Sequence, residues 1–249
     1  MTALDALGIL AAGGAAGAIN VAVGSGTLIT FPIVLAFGYP PVVANVSNTI
    51  GLVPGSVAGA IGYRRELADQ LPVVGRLACA TAVGAASGAV LLLTLPPSAF
   101  RSIVPGCIVL ALVLILAQPR LASLLRARRA HHAVHLGVVT MGAVFAVGVY
   151  GGYFGAAQGI LLLAILGLAL DDELQRVNAV KNVLAGLANL LSGLIFALAA
   201  HVAWDVVGLI AAGSLAGGTL AARYGRRLSP RLLRALIVAV GIIAVVRLL

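Results

Sequence analysis

Apolar residues recur in blocks of roughly 20 or more along the whole chain, separated by short polar, glycine- or proline-bearing turns; this is the length of helix that crosses a bilayer core. The blocks fall at Leu4–Phe37, Pro41–Gly62, Val73–Leu95, Ser98–Ala117, Val134–Leu170, Val177–Ala200, Val206–Ala222 and Arg231–Leu248. None alternates polar and apolar residues as a membrane barrel strand does. The pattern predicts an all-α, polytopic helical membrane protein. Two blocks, Leu4–Phe37 and Val134–Leu170, are too long for one ordinary crossing. Each carries a glycine cluster: Gly24-Ser25-Gly26 in one, Gly151-Gly152 with Gly155 and Gly159 in the other. Glycine costs a helix interior about 1 kcal/mol relative to alanine, so such clusters mark places where it can break. Each long block is therefore expected to form two packed half-spans or a re-entrant hairpin.

The two halves repeat. Leu95-Pro96-Pro97-Ser98-Ala99-Phe100-Arg101 matches Leu228-Ser229-Pro230-Arg231-Leu232-Leu233-Arg234 at an offset of 133 (230 − 97). The same offset pairs Gly26 with Gly159 and Asn45 with Asn178, while Gly59 and Gly193 differ by 134 (193 − 59). The chain thus divides into a first repeat over 1–118, a basic loop over 119–133 and a second repeat over 134–249. Each repeat has a broken or re-entrant first segment plus three further spans. Arginines cluster at 64, 65 and 76, at 120, 126, 128 and 129, and at 223, 226, 227, 231 and 234. If both long blocks enter and return, all three clusters share the cytoplasmic side, as the positive-inside bias requires. The two repeats are then inverted, a common design of secondary transporters.

Composition agrees. With 61% hydrophobic and 9% charged residues and a mean hydropathy of +1.14, the chain leaves no room for a soluble domain. Its net charge of +9 reads as arginines gathered in cytoplasmic loops, not as a nucleic-acid surface. The N-terminus lacks the basic region of a signal peptide, so the first span is expected to be retained. Cys79 and Cys107 fall inside apolar blocks and read as buried packing groups that say nothing about redox chemistry. His131, His132 and His135 stand among arginines in the longest loop, too few and too isolated for a metal site. No cofactor or metal is implied. His201, Trp204 and Asp205 read as an interfacial turn.

Candidate chemistry gathers beside the two breaks. A broken helix exposes backbone N–H groups and a positive dipole end, which suit an anion. This nominates Gly24, Ser25 and Gly26 in the first half, and Gln158 and Gly159 in the second. After each break comes a polar helix start: Asn45, Ser47, Asn48 and Thr49 in one, Asn178, Lys181 and Asn182 in the other. Helical spacing puts Asn178, Lys181 and Asn182 on one face. Lys181 is the only lysine in the chain. It either snorkels to the headgroups from its helix end or supplies a fixed positive charge at an anion site. Every carboxylate (Asp5, Glu66, Asp69, Asp171, Asp172, Glu173 and Asp205) falls at a span end or in a loop, so no proton-coupling residue is evident.

Gly17-Ala18-Ile19-Asn20-Val21-Ala22-Val23-Gly24-Ser25-Gly26-Thr27-Leu28-Ile29-Thr30-Phe31-Pro32 and Ala44-Asn45-Val46-Ser47-Asn48-Thr49 resemble the TauE/SafE family of sulfite exporter and permease proteins. So do Tyr150-Gly151-Gly152-Tyr153-Phe154-Gly155-Ala156-Ala157-Gln158-Gly159 and the stretch from Asn178 to Asn182. The resemblance implies transport of small, often sulfur-containing anions across a prokaryotic cytoplasmic membrane. Where members often carry three glycines in the first break, this chain has Gly24-Ser25-Gly26, which adds a hydroxyl.

The leading expectation is a secondary transporter or facilitator for a small oxyanion or organosulfonate, and not an enzyme. Its expected partners are that anion and the lipid bilayer, without nucleic acid; a homo-oligomer is compatible with the sequence. An intramembrane serine hydrolase would need Ser25 activated by Lys181, yet the loop lacks the usual Gly-x-Ser-Gly and no HExxH motif occurs. A membrane scaffold that moves nothing would not need matching polar clusters beside helix breaks.

Overall fold

A computed structural model of the chain describes residues 1–127, 137–170, 172–224, 237–240 and 242. The second proline turn, Leu228–Arg234, the histidines at 131, 132 and 135, Asp171 and most of the last apolar block lie outside these residues. The described residues are helical and contain no strand. In order, the helices are α1 (Ala3–Ala22), α2 (Thr27–Ala36), α3 (Pro41–Gly51), α4 (Val53–Gly62), the short α5 (Arg64–Leu67) and a 3₁₀ turn (Ala68–Gln70). There follow α6 (Leu71–Thr94), α7 (Pro97–Ala127), α8 (Val138–Tyr153), α9 (Gln158–Ala169), α10 (Leu174–Ala199) and α11 (Trp204–Tyr224). Five helical stretches are long and apolar enough to span a bilayer: Ala3–Ala22, Arg64–Thr94, Pro97–Leu121, Leu174–Ala199 and Trp204–Tyr224. Large apolar side chains such as Val113, Leu116 and Leu198 point outward, as lipid requires of a spanning surface. The protein is a multi-pass membrane protein.

Both over-long blocks break where the glycines predict. α1 ends at Ala22 and α2 begins at Thr27; α8 ends at Tyr153 and α9 begins at Gln158. After the first break the chain returns the way it came, because Phe37, just beyond α2, packs against Gly8 near the start of α1. After the second, Gln158 lies against Gly151, and Leu162 and Leu166 share a core with Val144 and Val147. Both blocks are hairpins.

The block Pro41–Gly62 was expected as one span but is divided at Leu52. Pro54 lacks the N–H that would continue the ladder, which accounts for the division. α7 runs ten residues past the expected Ala117, carrying Pro119 within it (127 − 117). Cys79, read from the sequence as buried, is exposed on α6, while Cys107 is half-buried; both are free thiols. An apolar helix facing lipid exposes such residues at no cost, which hydropathy alone does not distinguish from burial.

The first helix of each hairpin packs against a helix of the other half: α1 against α11, and α8 against α6. Four G-x-x-x-G spacings make these contacts close. A Cβ added at Gly17 would strike the backbone of Ser214, and one at Gly88 would strike that of Val149. Gly213 and Gly217 on α11, and Gly148 and Gly152 on α8, complete the two interfaces. In lipid, helices associate chiefly by such close backbone packing.

Polar contacts tie the helix ends together on two opposite faces. On one, the Tyr39 hydroxyl donates to Asp205 at 2.8 Å, linking the α2–α3 turn to the start of α11. Burial, and then the neighbouring carboxylate, push the Tyr39 phenol above its ordinary pKa, so at neutral pH it remains a donor. On the other face Gln70 donates to Asp172 at 2.5 Å, and Arg176 reaches Asp69 at 3.5 Å and Asp172 at 3.7 Å. Gly62 meets Ala222 on this second face, which brings Arg64, Arg65 and Arg223 to the same side of the molecule.

Candidate functional site

The breaks are shaped by residues that tolerate left-handed backbone. Gly24 has φ +88° and Gly155 has φ +75°, each two residues beyond its helix end. Both donate back to a carbonyl of that helix, Gly24 to Ile19 and Gly155 to Tyr150, each at 3.0 Å. Ala157 also has positive φ, +59°, and is fully buried. An alanine held there costs about 1–2 kcal/mol. Such strain at a helix break marks a place fixed by its surroundings.

The two breaks touch. The N–H of Gly159 donates to the carbonyl of Gly24 at 3.0 Å, and a Cβ at either glycine would collide with the other's Cα. Ser25 follows Gly24 and Gln158 precedes Gly159, so these two side chains flank the contact. Ser25 Oγ and Gln158 Nε2 are buried without hydrogen-bond partners. At the start of α2 the N–H groups of Ser25, Gly26 and Thr27 make no hydrogen bond among the described residues, nor do those of Ala156 and Ala157 before α9. These are the free, positive ends of two half-helices.

The polar helix starts close over the opposite, negative ends. Asn178, Lys181 and Asn182 lie on the buried face of α10. Lys181 is 0% exposed, so it does not snorkel. Its Nζ donates to the carbonyls of Asn20 at 3.2 Å and Val21 at 3.1 Å, in the last turn of α1. Asn178 Nδ2 also reaches Val21 O, at 3.5 Å. An ammonium carries three N–H donors, and two of them are engaged here. Burying it unpaired would cost several kcal/mol; the carbonyls and the dipole of α1 offset that. In the other half, Asn45 Nδ2 donates to Tyr153 O at 3.0 Å, in the last turn of α8. Each half therefore clasps the broken helix of the other.

The remaining nominated residues divide. Asn48 Nδ2 donates to Thr27 Oγ1 at 3.2 Å, and its Oδ1 accepts from Thr30. Asn182 Nδ2 is buried without a partner. Thr49 donates within its own helix, to Asn45 O at 2.9 Å. Ser47 is turned toward the α10–α11 connection, where its Oγ accepts the Ala203 N–H at 3.0 Å. Residues not nominated also take part. Asn20 donates to Ser56 Oγ at 3.2 Å, and Thr27 and Thr30 support Asn48. Their spacing, three apart at the start of α2 and facing a polar turn of α3, was the available signal. Phe31, Phe100, Tyr153 and Phe154 stack beside the second break, with centroids 5.1 to 6.3 Å apart. Ser25 Oγ and Lys181 Nζ share no hydrogen bond, so the pair lacks the contact of a serine–lysine nucleophile. Among the described residues no group of three or more His, Cys, Asp or Glu is placed to hold a metal.

The chain is 26% identical over 238 residues to a "Probable membrane transporter protein" of Haemophilus influenzae, covering 94% of this chain and 91% of that one. It is 28% identical to "Probable membrane transporter protein ORF9" of a Sinorhizobium species, covering 94% and 88%. It is 26% identical to "Probable membrane transporter protein YfcA" of Escherichia coli K12, covering 94% and 86%. No solved structure matches. The family described as "Sulfite exporter TauE/SafE" matches residues 9–248, and with nearly the whole chain inside that match the protein belongs to the TauE/SafE family of membrane transporters.

Proposed function

We propose that the protein moves a small sulfur oxyanion or organosulfonate across the prokaryotic cytoplasmic membrane by alternating access, and that it performs no covalent chemistry. The observation that carries this reading is the contact between two broken hairpins beside a fully buried lysine. The starts of α2 and α9 offer unengaged N–H groups, Ser25 and Gln158 offer side chains with no other partner, and Lys181 retains one donor. Dry orphan donors cost about 1–3 kcal/mol each, and an oxyanion accepting from several of them offsets that cost. The family's name, which mentions sulfite, agrees with an oxyanion cargo.

We read the halves as inverted repeats. The reciprocal clasps, Asn45 on α8 and Asn178 with Lys181 on α1, support this, as does the exchange of α6 and α11 as packing partners. The arginine-rich face is then cytoplasmic. Both polar ties at the two faces are closed and the site is buried, the form of an occluded state.

The test is flux of sulfite, sulfoacetate and an aryl sulfonate into proteoliposomes holding the purified protein. At least one should move in a saturable way, and Lys181→Ala should reduce that flux about tenfold or more, the effect of losing one charge-assisted contact. Equal flux in protein-free vesicles for all three anions would refute the reading.

A further inference from the structure

We propose that the first half binds a sodium ion at the place where the second half holds the Lys181 ammonium. Asn45 and Asn178 stand 133 residues apart (178 − 45), and each donates its amide to a carbonyl ending the other half's hairpin helix. Three residues further along the same helix face, the second half has Lys181 and the first half has Asn48. Lys181 sets a positive charge on the negative end of α1. The equivalent end of α8 receives only the neutral amide of Asn45.

The same face of α3 carries further oxygens on its next turn. Asn45 is 0% exposed, and its Oδ1 accepts no hydrogen bond. Tyr153 O ends α8 beside it. On the next turn of α3 stand Asn48 Oδ1 and the hydroxyls of Thr27 and Thr30, all on buried residues. A buried acceptor without a donor is costly, and here it lies at a helix end that favours positive charge. The set contains no charged ligand, and every described carboxylate sits at a helix end or connection. Tight divalent sites draw on carboxylates. Neutral amide, hydroxyl and carbonyl oxygens at a broken helix are instead the ligands that coupling sodium uses in transporters of this general build. A small oxygen set suits sodium better than the larger potassium ion. The ion and Lys181 would then place two positive charges around the touching breaks, one exchangeable and one covalent.

The ion's role as co-substrate rests on the transport reading, but its binding does not, so the decisive measurement uses no anion. The thermal unfolding midpoint of the detergent-purified protein is followed against NaCl, KCl and choline chloride at constant ionic strength. Sodium near one hundred times its dissociation constant should raise the midpoint by about 5 °C, with no such rise in potassium or choline. Asn48→Lys, which supplies the charge covalently, should abolish the sodium response, and Asn45→Leu should abolish it by removing the orphan oxygen. Thr81→Val, at another buried hydroxyl, should keep it. Equal responses to the three salts, or a sodium response that survives in both Asn48→Lys and Asn45→Leu, would overturn the proposal. A sodium-specific shift in a protein that moves no anion would leave the ion site standing and remove the transport reading instead.

Discussion

At the first break the carbonyls ending α1 meet an ammonium and an amide; at the second, the carbonyls ending α8 meet an amide alone. The backbone plan is shared: a helix, a left-handed glycine two residues on, a short turn and a returning helix. The side chains are not. The first turn is Gly24-Ser25-Gly26 and carries a hydroxyl; the second is Gly155-Ala156-Ala157, which carries none and holds an alanine under strain. Gln158, entering α9, takes the place that Thr27 has entering α2. The first break is thus a hydroxyl-bearing turn on a relaxed backbone, the second an aliphatic turn on a strained one. One backbone plan thus carries two different linings.

The sharpest way to break this comparison is at the point where the halves touch. Gly24→Ala needs a side chain at φ +88° and against the Cα of Gly159. It should cost more than about 3 kcal/mol, counting both strain and collision, seen as a large fall in the unfolding midpoint or as loss of folded protein. Gly38→Ala has the same φ with open space around the added Cβ, and should fall by no more than the strain alone. Similar losses in the two variants would mean that the contact between the breaks contributes nothing.

Charge asymmetry comes next. Lys181→Ala leaves Asn20 O and Val21 O without a strong donor and should cut anion flux about tenfold. Asn45→Ala removes a neutral clasp and should cost about 1–2 kcal/mol of stability, and in sodium-free buffer, where the proposed ion contributes nothing, should change anion flux less than Lys181→Ala does. Flux and unfolding measured side by side separate the two roles; equal patterns for both variants would erase the distinction.

A smaller effect is expected at the faces. Tyr39→Phe removes the hydroxyl that holds Asp205, while Arg176→Ala removes the ties to Asp69 and Asp172. Exposed ties of this kind are worth about 0–1 kcal/mol, hence a few-fold change in an open population. With Ser25→Cys as reporter in a Cys79→Ala, Cys107→Ala background, Tyr39→Phe should speed labelling by an impermeant thiol reagent from one side only. Arg176→Ala should speed it from the other. The smallest change is a gain: Ala157→Gly relaxes the left-handed residue but gives up a fully buried methyl, and should raise stability by no more than about 0.5 kcal/mol, read from the unfolding midpoint.

Much of this comparison was legible in the sequence. Excess block length with glycine clusters located both hairpins, and the offset of 133 picked out Asn45 and Asn178, which do hold equivalent clasps. Burial of Lys181 was left open between two readings, because a lysine seven residues into a helix lies only about 10 Å along it. Tertiary packing decided it. The same offset pairs Gly26 with Gly159, whereas the backbone makes Gly24 and Gly155 equivalent. The discrepancy of two residues is absorbed by α9, which has 12 residues where α2 has 10. Ala157 gave no signal, since alanine is a helix former and its left-handed backbone is imposed from outside. Ser47 has the composition of a site residue, but its place on the helix turns it to a different partner. The division at Leu52 was readable in Pro54, yet composition alone made the block look continuous.

The exchange of packing partners between the halves also sets an order of events during synthesis. α1 leaves the ribosome well before α11, yet the glycine face it offers fits α11, which follows almost the whole of the described chain later. Until then that face of α1 must rest against lipid. Insertion and assembly are therefore separate stages here, and a ribosome that stalls before α11 releases a chain whose α1 is still without its mate.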